Sequence, residues 1–307
     1  MDPLSNALRV VAARCVVSGT LQAGGRWAVR FPPAEGLKFL GIVRGTARMK
    51  SGRDAAITLG AGDVVLRAAP PVTVIGSDLA ASPTELATLL HERKGARARV
   101  GTGDEFAMVG GEVLLADDDV AWFRATLPPT IVIRGGSPRA ATLQWLMAEI
   151  VREQKRPALG GEVAIGQLAL LMFVQILRAH AESEASTGWL AGLADRRLAP
   201  AFTRMHGSPE RAWTLTELAR ACAMSRAAFA ERFKQVAGTT PLAYLAAWRI
   251  RLARRGLERG ASVGELALEL GYSSESALSH AFKRIAGTSP RAYRDAWAAS
   301  AADGPRP

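Results

Sequence analysis

The sequence predicts an α+β chain of two domains: a β-barrel or sandwich with helices following it, then an all-helical domain. Three observations predict this. Short apolar runs broken by Gly, Pro and Asp fill residues 1–135, apolar residues recur at helical spacing from Ser137 onward, and one helical segment near the C-terminus is repeated 48 to 49 residues later. At 307 residues, two domains of ordinary size are expected. A hydrophobic content of 49% against 22% charged residues is ample for a buried core.

The β-rich part is read from Trp27–Phe31, Leu37–Val43, Asp63–Leu66, Val72–Ile75, Glu105–Val109, Val113–Leu115 and Thr130–Ile133, with Gly60-Ala61-Gly62-Asp63 as a turn between two strands. Asp117-Asp118-Asp119 and the basic cluster Arg93, Lys94, Arg97, Arg99 read as solvated loops. Ser137-Pro138 starts a helix carrying Leu143, Leu146, Met147, Ile150 and Val151. A second helix runs from about Glu162 to Ala181, with Leu168, Leu171, Met172 and Ile176 on one stripe. Such helices can cover their own sheet, pack together, or pair with another subunit. The polar run His180 to Gly188 marks the boundary, giving domains 1–188 and 189–307.

Composition narrows the function. No apolar run is long enough for a membrane span, and Met1-Asp2-Pro3-Leu4-Ser5 does not open a secretory signal, so a cytoplasmic protein without a membrane partner is expected. Cys15 and Cys222 are too few for a disulfide framework, and both fit buried packing thiols, with oxidation sensing at Cys15 as the alternative. The histidines at 91, 180, 206 and 280 have no metal-ligand spacing, so no metal, cofactor or catalytic residue is assigned. The net charge of +11 is uneven: residues 201–300 hold 15 Lys or Arg against 8 Asp or Glu, a net of +7. A basic excess of this kind suits a polyanionic partner.

The repeat falls in the same stretch. Glu217-Leu218-Ala219 recurs as Glu265-Leu266-Ala267, Phe233-Lys234 as Phe282-Lys283, Ala237-Gly238-Thr239-Thr240-Pro241 as Ala286-Gly287-Thr288-Ser289-Pro290, and Tyr244 as Tyr293. Thr214 with Glu217, and Ser262 with Glu265, form capping boxes that start a short first helix. Ala223-Met224 and Gly271-Tyr272 turn the chain, and Ser225, and Ser273 or Ser274, cap a second helix. Phe229 with Phe233, and Leu278 with Phe282, bury that helix at i, i+4 spacing, and Gly238 and Gly287 end it. Each copy is therefore a helix-turn-helix unit, spanning about 214–238 and 262–287, joined by a helix over 241–255 of about 22 Å.

The second helix of such a unit is free to enter a DNA major groove. Its outer face carries Arg226, Ala227, Ala230 and Glu231 in the first copy and Glu275, Ser276, Ser279 and His280 in the second. Arginine can donate twice to guanine, glutamate can accept from cytosine, alanine can pack on a thymine methyl, and histidine can donate to guanine. Ser225, Lys234, Ser274, Lys283 and Arg284 are placed for phosphate. Arg249, Arg251, Arg254, Arg255 and Arg259 add charge along the joining helix, some of it only a solvated face.

Thr214 to Ala219, Met224-Ser225-Arg226, Phe233-Lys234 and Gly271-Tyr272 through Phe282 to Arg294 closely resemble the DNA-binding domain of the AraC/XylS family of bacterial regulators. The resemblance implies paired recognition helices on adjacent grooves of double-stranded promoter DNA, usually in an activator that touches RNA polymerase. Gly36-Leu37-Lys38-Phe39, Val43-Arg44-Gly45, Gly60 to Leu66 and the later Gly188-Trp189-Leu190 resemble the cupin-type sensor domains of that family. The closely spaced His-x-His of metal-binding cupins is missing, which favours sensing or scaffolding over catalysis. The expected protein is thus a transcription regulator with a small-molecule effector and a homodimer as further partners. Trp27, Phe31, Phe39 and Trp122 are candidates for an effector pocket, although strand aromatics are commonly core. Control by oxidation or abundance is the alternative, and a cupin-type enzyme the remotest one.

Overall fold

A computed structural model describes residues 2–91, 97–156, 158–183 and 186–302. It divides into two compact units, Val11–Ser186 and a second formed by Met1–Val10 with Thr187–Pro307. The chain opens in the second of these with helix α1 (Pro3–Val10), then crosses to the first.

The Val11–Ser186 unit holds strands β1 (Arg14–Gly24), β2 (Ala28–Phe31), β3 (Leu37–Arg44), β4 (Thr46–Ser51), β5 (Ile57–Gly60), β6 (Val64–Ala68), β7 (Thr73–Gly76), β8 (Thr84–Glu85), β9 (Arg97–Gly101), β10 (Phe106–Leu114) and β11 (Thr130–Ile133). Helices α2 (Leu86–His91), α3 (Asp117–Thr126), α4 (Ala140–Lys155) and α5 (Gly161–Ala181) complete it. The strands form two sheets, β11-β6-β3-β10-β1-β9 and β5-β4-β7-β2-β8. They stay separate, so the sandwich is realised and the barrel is not.

Period-2 burial fixes which face is inward. On β4, Ala47, Met49 and Ser51 are buried while Thr46, Arg48 and Lys50 are exposed. Inward residues of both sheets, among them Trp27, Val29, Ile42, Met49, Leu59, Ile75 and Phe106, make one apolar core. Each large side chain fully removed from water contributes about 1.5–3 kcal/mol.

Several expectations are corrected. Residues 117–119 open α3 rather than a loop, and Asp119 is buried. Arg97 and Arg99 lie on β9, which pairs in parallel with β1, while Arg93 and Lys94 lie outside the described residues. The runs at 105–109 and 113–115 are one strand, β10, continuous through Gly110 and Gly111. Strand β1 escaped the sequence reading because Arg14-Cys15-Val16-Val17-Ser18-Gly19 has no clean alternation, and its ladder with β10 shifts register between Val17 and Gly19. On α5, Leu171 is exposed, and Ala169, Met172, Phe173, Ile176 and Leu177 form the buried stripe. By length and composition α5 could cross a membrane, but that stripe is spent against α4, β1 and β11. His180 belongs to this helix and is buried, which holds its pKa below the usual imidazole value.

The second unit is helical: α1, α6 (Gly188–Ala194), α7 (Ala199–Gly207), α8 (Leu215–Ala221), α9 (Arg226–Ala237), α10 (Pro241–Glu258), α11 (Val263–Glu269), α12 (Glu275–Ala286) and α13 (Pro290–Ala302). Residues 1–10 thus depart from the 1–188 grouping expected of the sequence. Helix α1 packs on α6, α7 and α10, burying Ala7, and the Asn6 amide donates to the His206 carbonyl at 3.1 Å. Trp189 and Leu190, read with the sensor domain, are buried residues of α6.

Candidate nucleic-acid interface

Two apolar cores organise the helical unit. Phe202, Met205, Trp213, Leu218, Phe229, Phe233 and Leu245 make the first, with Phe202 stacked on Phe233 at 4.9 Å between ring centres. Ile250, Ala253, Leu257, Leu266, Leu278 and Phe282 make the second. Helix α10 belongs to both, since Leu245 enters the first core and Ile250, Ala253 and Leu257 the second. Its 18 residues give a rod of about 27 Å, somewhat longer than the sequence suggested. Gly256 sits where α10 meets α11; a Cβ there would strike the Leu266 side chain.

Each copy begins as the sequence dictates. Thr214 and Glu217 form a complete capping box, as do Ser262 and Glu265. The bonds from Thr214, with Arg211 at 2.7 Å, hold the Glu217 carboxyl at about 2. The turn after the first helix needs a left-handed residue, supplied by Ala223 (φ 51°) in one copy and Gly271 (φ 71°) in the other. Ser225 and Ser274 accept the backbone N–H of Ala228 and Ala277 at 3.2 and 3.1 Å. Gly238 and Gly287 close the second helices at φ 71° and 77°.

The helices α9 and α12 bury one edge and leave the other to solvent. On α9, Phe229 and Phe233 are fully buried, while Arg226, Ala227, Glu231 and Lys234 are exposed and Ala230 half-buried. On α12, Leu278 and Phe282 are buried, Glu275, Ser276, His280, Lys283 and Arg284 are exposed, and Ser279 is half-buried. All thirteen candidate DNA residues therefore lie outside the cores. The Glu275 side chain folds back over Gly264 of α11. The two cap hydroxyls are already engaged as acceptors, so only their O–H remains to donate.

The arginines of α10 divide by role. Arg249 donates to the Arg211 carbonyl at 2.9 Å and lies 5.5 Å from the Tyr272 ring centre, stapling the 208–211 loop to α10. Arg255 pairs with Glu258 at 2.6 Å, Arg254 lies over the Tyr293 ring, and Arg259 is exposed beyond the helix. Two structural partners were not legible in the sequence: Arg232 of α9 bonds Asp195 after α6 at 2.7 Å, and His206 bonds Tyr244. Each joins residues far apart in the chain, and no local pattern marks such pairs.

In the β unit, Phe31 and Phe39 line a cavity of about 250 Å³. Trp27 does not; it is a core residue packed on Phe106 at 4.8 Å. Trp122 lies on α3 rather than a strand and packs on Phe123. Cys15 is buried, which pushes its thiol up to about 12 and suppresses the thiolate that oxidation requires. Among the described residues, no group of three His, Cys, Asp or Glu side chains is placed to hold a metal ion.

Residues 2–182 match the cupin family and residues 218–296 a helix-turn-helix domain. An AraC-like transcription regulator of Streptomyces antibioticus is 39% identical over 280 residues, covering 90% of this chain and 92% of that protein. The RCS-specific HTH-type transcriptional activator RclR of Escherichia coli K12 is 27% identical over 285 residues, 90% of this chain and 91% of that one. Among solved structures, the DNA-binding domain of AdpA in complex with a target DNA aligns with 36% of this chain and 99% of its own, at 34% identity and a TM-score of 0.33. These relatives are named as transcription regulators. With two capped helix-turn-helix units behind a cupin domain, this chain belongs to the AraC family of DNA-binding transcription regulators.

Proposed function

We propose that α9 and α12 enter successive major grooves of one promoter, read by Arg226, Ala227, Ala230, Glu231, Ser276, Ser279 and His280. Lys234, Lys283, Arg284 and the Ser225 and Ser274 hydroxyls hold phosphates. The observation that carries this is the sharing of α10 between two cores, which makes one rigid spacer of it while both reading faces stay in solvent. Glu275 contributes only if its side chain swings out from Gly264. The protein acts in the cytoplasm as an activator in contact with RNA polymerase, a sign supported by the activator among its relatives.

The β unit senses a small effector in the cavity lined by Phe31 and Phe39. A second copy docks through α4 and α5, where Trp145 and Val163 are 55% and 69% exposed. Selection of bound sequences from random duplexes by the full chain tests the DNA reading. The expected product has two base-specific elements about one helical turn, ~10 bp, apart. Binding should weaken steeply with salt. A pool with no enriched sequence would overturn the reading.

A further inference from the structure

Among the described residues of the β unit, Arg67 has no counter-charge in contact with it. Arg67 sits on β6 two residues after Val65, an inward-facing core position, so its side chain also points between the sheets. It is 5% exposed. Its Nη1 donates to the Thr73 hydroxyl on β7 and its Nη2 to the Ser51 hydroxyl on β4, both buried, and those two hydroxyls lie 3.3 Å apart. The Nε–H is buried and has no partner. Among the described residues no carboxylate bonds the guanidinium, and Asp54 acts on it only through space. Burial disfavours its charged form, and hydroxyl dipoles offset that only in part.

Arg67 is one of the residues that line the 250 Å³ cavity. The remaining walls are mostly apolar: Phe31, Phe39, Leu40, Ile75 and Met108. Lys38 also borders it, but its ammonium is paired with Glu112 of the neighbouring strand. Gly111 makes room for the Phe39 ring, which a Cβ there would strike. The cavity is thus mostly apolar, with one buried cation, bonded only by hydroxyls, among its lining residues. A doubly charged phosphate would bring more charge than one arginine neutralises. A neutral ligand would leave the arginine as it is. A monocarboxylate matches the charge and can accept from guanidinium N–H groups.

We propose that the cavity is a site for a small monocarboxylate with an apolar body, its carboxylate paired with Arg67 and its body against Phe31, Phe39 and Met108. This rests on the reading that the β unit binds an effector there, and names that effector's chemical class.

The test is thermal unfolding and calorimetric titration of the full chain with benzoate, hexanoate and 3-phenylpropionate. The matching amides and inorganic phosphate are the comparators. The acids should bind and raise the unfolding temperature, while the amides and phosphate do not. Arg67→Met should weaken acid binding by about tenfold or more, as expected for a lost charge-assisted bond. If that variant does not fold, the contrast between acid and amide in the wild-type chain decides alone. Amides binding as well as acids, or phosphate protecting equally, would overturn the carboxylate assignment and leave the effector reading standing. If no compound of either kind binds, both fall.

Discussion

The Nε2 of His206 and the hydroxyl of Tyr244 lie 2.7 Å apart inside the first helical core. The His206 ring stacks on Trp248 at 4.1 Å, and its Nδ1 has no partner. Burial holds its pKa at about 4, against 6.5 for an unperturbed ring, so the folded core contains neutral imidazole. As pH falls below 6.5, the unfolded chain takes up this proton before the folded one does. The stabilisation is complete above 6.5 and is lost as pH falls to about 4, by roughly 3 kcal/mol. Urea unfolding across that window should show the loss, and His206→Phe should flatten it. A variant as pH-sensitive as the wild type would reject this role for His206.

Ala223 and Gly271 occupy the same left-handed turn position in the two copies, so swapping their residue types should act in opposite directions. Ala223→Gly relieves about 1 kcal/mol of left-handed strain, less the greater freedom of the unfolded chain, for a net gain of a few tenths. Gly271→Ala drives a Cβ into the Glu210 carbonyl and should cost about 1–3 kcal/mol. Urea midpoints of the two variants give both signs.

Arg226→Ala and Lys234→Ala should fail differently on DNA. Loss of Arg226 should cost about 1–3 kcal/mol and relax preference at one base pair. Loss of Lys234 should weaken all sequences alike and lower the salt slope by about 1. Quantitative binding to a selected site and its single-base variants, at several salt concentrations, separates them. An unchanged base preference in Arg226→Ala would show that α9 presents another face.

Helix α1 should stabilise the DNA-binding unit, against which it packs. Ala7 is 1% exposed, and Ala7→Asp would bury a carboxylate there, at a cost of about 2 kcal/mol or more. Amide exchange should then quicken in α7 and α10, both of which α1 touches. Unaltered protection of those helices would mean that α1 contributes nothing to them.

Cys15 should resist thiol reagents in the native chain, with its thiol pushed up to about 12. Labelling near pH 8 should become fast only in denaturant, and Cys15→Ser should leave oxidant response in cells unchanged. Rapid native labelling would return control by oxidation to consideration.

The helical unit was legible because its information is local. Capping boxes, a Gly after each second helix, Thr240-Pro241, Ser289-Pro290 and the Phe229–Phe233 pair act within a few residues, and a repeat states each of them twice. They determined the helices and which face of α9 and α12 stays outside. The β unit was less legible, since strand pairing joins distant residues: β1 meets β10, and β6 lies between β3 and β11. Only tertiary structure decided that Phe31 and Phe39 share a cavity while Trp27 and Trp122 do not, that α1 packs with the helical unit, and that Arg67 crosses between two sheets. A side chain's neighbours across a sandwich depend on register and twist over the whole ladder, and no short stretch of sequence encodes them.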